Sequence, residues 1–293
     1  MEFFRPATWP DALALKAAHP EALPLAGGTD VMVDINFDRV RPVALLDLTG
    51  IRDLAEWSAD DGVIRLGAGV SYTRVINELS GRLPGLALAS RTVGSPQIRN
   101  RGTVGGNLGS ASPAGDAHPP LLTCDTVVEA ASARGARRIP IREFYTGVKR
   151  SALAPDELIA AIRIPVAAGP QQFSKVGVRN AMVIAVSSFA IALHPDRGRV
   201  GTGLGSAAPT PRPAPAAEEF LGAELAERGL WDSRGPLPDA AARRFGDLVA
   251  QAAEPIDDVR GSAVYRRHSL AVMARRTLAW AWRSYQGEGR RCA

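Results

Sequence analysis

The chain has 293 residues, 46% hydrophobic and 22% charged, with a formal net charge of +5. That length accommodates two ordinary domains and a sizeable core. Of its 35 basic residues only Lys16, Lys149 and Lys175 are lysine, the arginines form pairs but no long run, and aromatics make up 6%, a composition that argues against a nucleic-acid surface of basic and interleaved aromatic residues.

Taken in order, residues 10–19 read as a first helix, with Trp9-Pro10-Asp11 as its start. Residues 23–26 form a short strand leading into Gly27-Gly28, and 43–48 form a β-rich run closed by Thr49-Gly50. These make a small α/β lobe ending near Trp57. A strand over 63–69 follows, then a helix capped within Ser71-Tyr72-Thr73 and running to Ser80, then a helix over 83–92. Residues 96–116 read as a glycine-rich loop, and 116–125 as helical at its far end behind Pro119-Pro120. A hairpin is expected from 126–132 and 137–141, with Gly135 near its turn. A strand over 157–165 closes the second lobe, and 166–170 is the linker. Beyond it, 172–178, 183–193 and 199–204 read as strands, with a turn at 195–198. Helices follow at 239–252 and 263–285. In the last helix Val264, Leu270, Met273, Leu278, Trp280 and Trp282 alternate with arginines, the pattern of a helix packed on its own domain's sheet. The domains are thus 1–168, in lobes of about 1–57 and 58–168, and 171–285, with 286–293 as a tail.

Cys124 and Cys292 are the only cysteines, and with four dispersed histidines they provide no four-ligand metal spacing. An iron–sulphur cluster ligated by this chain alone is ruled out. Cys124 follows Leu121-Leu122 and reads as a buried core thiol. Residues 1–10 lack an apolar signal region. The most apolar run, 182–193, is too short to span a bilayer and contains Ser187-Ser188. A cytoplasmic chain without a membrane partner is the expectation.

Two segments carry the chemistry. In the first, Leu25, Ala26, Gly27, Gly28, Thr29, Asp30 and Val31, a strand runs into paired glycines. In the second, Thr103, Val104, Gly105, Gly106 and Asn107 are followed by Ser112 and Asp116. Glycine lets a backbone approach another molecule closely. Successive amides then form an anion-binding concavity. Small hydroxyls and one carboxylate suit a diphosphate that carries a sugar or polyol. Neither segment has the Gly-x-Gly-x-x-Gly spacing, and no glycine precedes a lysine, so Rossmann and Walker sites are excluded. There is no Gly-x-Ser-x-Gly elbow either.

The chain resembles the FAD-binding subunits of molybdenum hydroxylases, among them xanthine dehydrogenases and the medium subunit of carbon monoxide dehydrogenase. The matching pieces are Ala26-Gly27-Gly28-Thr29-Asp30, Gln97 through Asn107, Ala111-Ser112-Pro113 with Asp116, Pro155 through Ile159, Phe173 through Arg179, and Gly205 through Pro211. They occur in the family's order over nearly the whole chain. The resemblance implies an α+β protein: a two-lobed α/β FAD-binding domain of the PCMH/VAO type, then a smaller domain of a three-stranded antiparallel sheet with helices. It implies non-covalent FAD with its diphosphate against residues 26–31 and 103–107. Asp116 contacts the cofactor, Ile184 lies near the flavin ring, and Lys175 sits in a Lys-x-x-x-Arg element with Arg179.

By the same resemblance no residue of this chain is catalytic, because the flavin carries the redox chemistry. Electrons arrive from iron–sulphur clusters on a small partner chain, fed by a molybdopterin centre on a large one, in a dimer of heterotrimers. The sequence looks most like a xanthine dehydrogenase subunit with NAD⁺ as acceptor; O₂ or a quinone are the alternatives. A flavin subunit of a carbon monoxide, aldehyde or N-heterocycle dehydrogenase, or a stand-alone flavin oxidoreductase of this fold, also remains open. The latter needs a proton donor or covalent ligand beside the ring, and no histidine sits in a spacing that recommends it.

Overall fold

The computed structural model describes residues 1–287. The expected tail beyond 287, and Cys292 in it, lie outside the described residues. The chain begins with β1 (Glu2–Phe4), α1 (Trp9–Ala18), β2 (Leu23–Leu25), α2 (Val31–Asn36) and β3 (Ala44–Asp47). The three strands form a parallel sheet in the order β1-β3-β2. Thr8 caps α1 by accepting from the Asp11 amide, and Pro10 stands in its first turn, where a missing N–H costs nothing. Central β3 is buried throughout, as its Ala-Leu-Leu run requires of a parallel strand covered on both faces.

The second lobe comprises β4 (Trp57–Asp60), β5 (Val63–Gly67), α3 (Tyr72–Glu78), α4 (Pro84–Arg91), α5 (Pro96–Arg101), α6 (Val104–Ser110), α7 (His118–Leu122), β6 (Val127–Ser132), β7 (Gly135–Pro140), α8 (Ile141–Phe144), β8 (Tyr145–Gly147), β9 (Arg150–Ser151) and β10 (Leu158–Pro165). Five strands make an antiparallel sheet in the order β4-β5-β10-β6-β7. Leu46 of the first lobe and Leu66, Leu108 and Ile162 of the second are buried in one continuous core.

The remainder has a sheet and a core of its own. β11 (Gln171–Val176), β12 (Ser187–His194) and β13 (Arg199–Gly205) form an antiparallel sheet with β12 in the middle. α9 (Pro215–Glu227), α10 (Leu230–Ser233), α11 (Asp239–Gln251) and α12 (Ala263–Tyr285) complete a second core around Phe189, Phe245, Leu270 and Trp282. All eight residues of β12 are buried. The fold is therefore α+β, a two-lobed α/β domain followed by a three-stranded antiparallel sheet with helices.

Three expectations are corrected. The glycine-rich stretch is not a loop but two short helices, α5 and α6. Ser95 and Thr103 supply N-caps, and the hydroxyl of each accepts an amide of the following turn, which offsets the poor helix propensity of glycine. The apolar run 183–193 is a strand only from Ser187, because residues 177–186 form the connection from β11. In α12, Leu270, Met273, Leu278 and Trp282 are buried, whereas Val264 and Trp280 are exposed.

The two domains meet at backbone distance. A Cβ on Gly203 of β13 would lie 2.7 Å from both Cα and C of Pro119 in α7, and one on Gly201 would lie 3.0 Å from Thr123 Cα. The side-chain-free face of β13 is what lets α7 rest on it. The Ser206 amide adds a hydrogen bond to the Pro113 carbonyl at 2.8 Å.

Candidate functional site: a seam between two glycine segments

The first glycine segment runs from the end of β2 to the start of α2, and the second spans the end of α5 and the start of α6. They touch. A Cβ on Gly27 would lie 2.6 Å from the Arg101 carbonyl carbon and 2.8 Å from Gly102 Cα, closer than real Cβ atoms come to another heavy atom. Two backbones can pass this closely only where one carries no side chain. A Cβ on Gly106 would lie 3.6 Å from the Ala26 side chain, and one on Gly102 3.4 Å from Thr29 Oγ1. Residues 26–29 and 102–106, some 75 positions apart in the chain, thus face each other.

The amides of Gly27, Gly28, Thr29 and Asp30 donate to no group among the described residues. Gly28 has φ +76°, the left-handed region that glycine tolerates. Leu25 ends β2 and Val31 begins α2, so the flanks of this row are fixed by secondary structure. In the second segment most amides are already engaged. Val104 donates to the Val70 carbonyl at 3.4 Å, Gly106 to Thr103 Oγ1 at 2.9 Å and Asn107 to the Thr103 carbonyl at 3.1 Å. Thr103 is therefore a capping residue of α6. Ser112 is also occupied, its hydroxyl accepting from the Ala114 amide at 3.3 Å.

Asp116 is buried where α6 has passed into the approach to α7. Its Oδ2 accepts from Lys175 Nζ at 2.6 Å, and Lys175, on β11, also donates to the Thr92 carbonyl at 3.2 Å. Burial pushes the Asp116 carboxyl up to about 6, against the opposing pull of Lys175. At neutral pH the Asp116 carboxyl is ionised. Asp116 Oδ1 is buried without a partner, as are Asn107 Oδ1 and His118 Nε2. The last two both border Gly115, where a Cβ would lie 2.8 Å from Asn107 Oδ1 and 2.5 Å from His118 Cδ2. Buried polar atoms are almost always bonded, so three orphans in one region mark the place for a polar ligand. Ile184 stands apart, half exposed on the 177–186 connection and in neither core.

Three contributors were not singled out from the sequence. The Tyr72 amide donates to the Gly102 carbonyl at 3.0 Å, and the Tyr72 ring lines the seam. Its hydroxyl is held well above the ordinary tyrosine range by burial, then by the charges of Asp116 and Asp30. His118, first residue of α7, pairs through Nδ1 with the Tyr145 hydroxyl at 2.8 Å. Burial lowers its pKa to about 3, with the Ser112 backbone opposing, so the imidazole is neutral. Thr92 accepts from Lys175 through its carbonyl, and its side chain helps hold the Asp116 carboxyl down against the effect of burial. Nothing in the local sequence of these residues announces a role, because each acts through a partner far along the chain.

A row of free amides, an unpartnered buried carboxylate oxygen and a close-packed glycine seam fit a dinucleotide such as FAD, whose diphosphate takes amides and whose polyol offers hydroxyls. Comparison with known proteins decides the family. Residues 1–167 match the model of the FAD-binding domain in molybdopterin dehydrogenase, and residues 172–281 match the CO dehydrogenase flavoprotein C-terminal domain. This chain belongs to the family of FAD-binding medium subunits of molybdenum hydroxylases. It is 30% identical to the xanthine dehydrogenase FAD-binding subunit of Escherichia coli O157:H7, over 95% of each chain. It is equally 30% identical to the carbon monoxide dehydrogenase medium chain of Afipia carboxidovorans, over 94% of this chain and 95% of that one. Among solved structures, a chain of the Cu,Mo-CO dehydrogenase superposes with a TM-score of 0.86 at 28% identity, covering 96% of this chain and 97% of the other. Among the described residues no three His, Cys, Asp or Glu side chains are placed to hold a metal ion, and no helix is long and apolar enough to cross a membrane.

Proposed function

We propose that the chain is the electron-transfer flavin subunit of a xanthine dehydrogenase-like molybdenum hydroxylase. Electrons would enter from iron–sulphur clusters on a small partner chain, supplied by a molybdopterin centre on a large one, and leave to NAD⁺. The assembly would be a cytoplasmic dimer of heterotrimers. That the sequence has only two cysteines, with the thiol of Cys124 pushed by burial up to about 11, supports a division of labour in which a partner chain would carry the clusters.

The observation that carries the reading is the seam of Gly27 against Arg101 and Gly102. The amides of Gly27 to Asp30, with Leu25, Ala26 and Val31 fixing their flanks, would bind the diphosphate. Thr103, Val104, Gly105, Gly106 and Asn107 would form the opposite wall. Asp116 Oδ1 would accept from a polyol hydroxyl, Ser112 would shape the turn before it, and Ile184 would border the ring. Lys175 would serve the site through Asp116. Bound there without a covalent link, FAD would supply redox chemistry able to link one-electron and two-electron partners. The protein's part is to bind it, orient it and limit solvent at its edge.

Relatives named for xanthine and for carbon monoxide oxidation match at the same identity, so the xanthine-like reading rests on the motifs and not on identity. The test is rapid mixing of the photoreduced, flavin-loaded chain with NAD⁺. Reoxidation at a rate that saturates with NAD⁺ supports the acceptor; a flavin that stays reduced with NAD⁺ and reoxidises with O₂ or a quinone refutes it.

A further inference from the structure

Lys175–Asp116 is, among the described residues, the ion pair with both side chains less than one-tenth exposed, at 7% and 9%. The two residues come from different domains. Lys175 is the last of three alternate residues of β11 that face α4. Gln171 Oε1 accepts from the Gly85 amide at 3.2 Å, Phe173 packs with Ala89, and Lys175 donates to the Thr92 carbonyl at 3.2 Å. Strand period two on one side meets helix spacings of four and three on the other, so the contacts form a ladder with the ammonium at its end. A cation there also lies at the C-terminus of α4, the negative end of the helix dipole.

Two of the three ammonium protons are committed, to Asp116 Oδ2 and to Thr92. The carboxylate is not: Oδ1 is buried and unpartnered. An acceptor buried without a partner can take a donor from outside the chain. Asp116 is held from the other side as well, since α7, beginning two residues later, rests on the glycine face of β13.

We propose that Lys175 is a positioning residue that couples cofactor retention to docking of the C-terminal domain: by fixing one oxygen of Asp116 it presents the other to a cofactor hydroxyl. This rests on the flavin-site reading above. In this arrangement Lys175 would act on the cofactor only through Asp116. Docking of β11 on α4 pre-orients the acceptor, and a cofactor bound to that acceptor holds the domains together.

The test is a double-mutant cycle on the full chain. The FAD dissociation constant is measured by flavin fluorescence for wild type, Lys175→Met, Asp116→Asn and the double variant, with hydrogen exchange of β11 and α4 with and without FAD. Each single substitution should weaken binding ~10–150-fold, the value of one charge-assisted hydrogen bond. The double variant should bind no more weakly than the weaker single. Lys175→Arg, which keeps the charge, should recover most of the affinity, and FAD should slow exchange in β11 of wild type but not of Lys175→Met. A double variant whose loss is the product of the two singles would show that Lys175 meets the cofactor independently, and unchanged binding in Lys175→Met would show that it has no role; either overturns the proposal. If Lys175→Met does not fold, Lys175→Gln against Lys175→Arg gives the same comparison. A wild-type chain that binds no FAD overturns the flavin reading itself, a result distinct from those two.

Discussion

Replacing Gly27 by alanine is the sharpest perturbation of the seam. The new Cβ would lie 2.6 Å from the Arg101 carbonyl carbon, whereas non-bonded carbons prefer 3.5–4.0 Å. Neither neighbour can yield alone: the Arg101 carbonyl belongs to α5, and Gly102 is fixed by its bond from Tyr72. The two segments must separate by about 1 Å, and overpacking of that kind costs about 1–3 kcal/mol of stability. A shift of that size takes the free amides of Gly27 to Asp30 off the line of any shared anion. Losing one charge-assisted hydrogen bond costs about 1.5–3 kcal/mol, or ~10–150-fold in dissociation constant. The assay pairs an FAD titration with thermal unfolding of the apo chain. Gly27→Ala should fold, melt lower and bind FAD at least ~10-fold more weakly. FAD affinity within twofold of wild type would refute the inference that the seam is the binding surface.

Gly106→Val places a branched side chain between Thr103 Oγ1, 3.0 Å from the new Cβ, and Ala26, so FAD should be lost while the far-ultraviolet circular dichroism is kept; a flavin-replete variant contradicts this. Gly203→Ala pushes α7 off β13 and should cost about 1–3 kcal/mol in a denaturant melt, with faster FAD release than wild type. His118 titrates at about 3 folded against 6.5 unfolded, so the unfolded chain binds the extra proton between those values. Stability is then full above pH 6.5 and falls toward pH 3 by up to about 1.4 kcal/mol per unit, while raised Asp116 adds an opposite slope between 3.8 and about 6. His118→Phe should flatten the fall of melting temperature over pH 6.5–3; an unchanged profile would contradict the assignment. Cys124, buried with its thiol held up to about 11, should resist alkylation in the native chain and react only on unfolding, as read by peptide mass.

Much of the fold is legible because its long elements carry strong periodicity or capping signals. The helix bounds at α12, the β6–β7 hairpin and the cap of α3 by Ser71 all follow from local residues. Local signals fail where tertiary contacts decide. α6 is helical despite three glycines because Thr103 caps it and Val104 and Leu108 are buried. α9 begins in a proline-rich stretch whose apolar face, Ala217, Leu221 and Leu225, becomes evident only against the sheet. At the site, the glycine segments are legible from backbone requirements. The Lys175–Asp116 pair spans 59 positions and Tyr145–His118 spans 27, distances over which no periodicity pairs two side chains. Thr103 and Ser112 show the converse: polar residues beside a glycine run suit ligand contacts by composition, and their hydroxyls also serve their own backbone, which local sequence does not announce.

The most direct measurement is an equilibrium titration of the flavin-depleted chain with FAD and, separately, with riboflavin, which keeps the ring and polyol but lacks the diphosphate. If amides on the seam hold the phosphates, FAD binds one to one and riboflavin binds at least ~100-fold more weakly, the worth of two or more charge-assisted hydrogen bonds. Equal affinity for the two, or no binding of FAD, would contradict it.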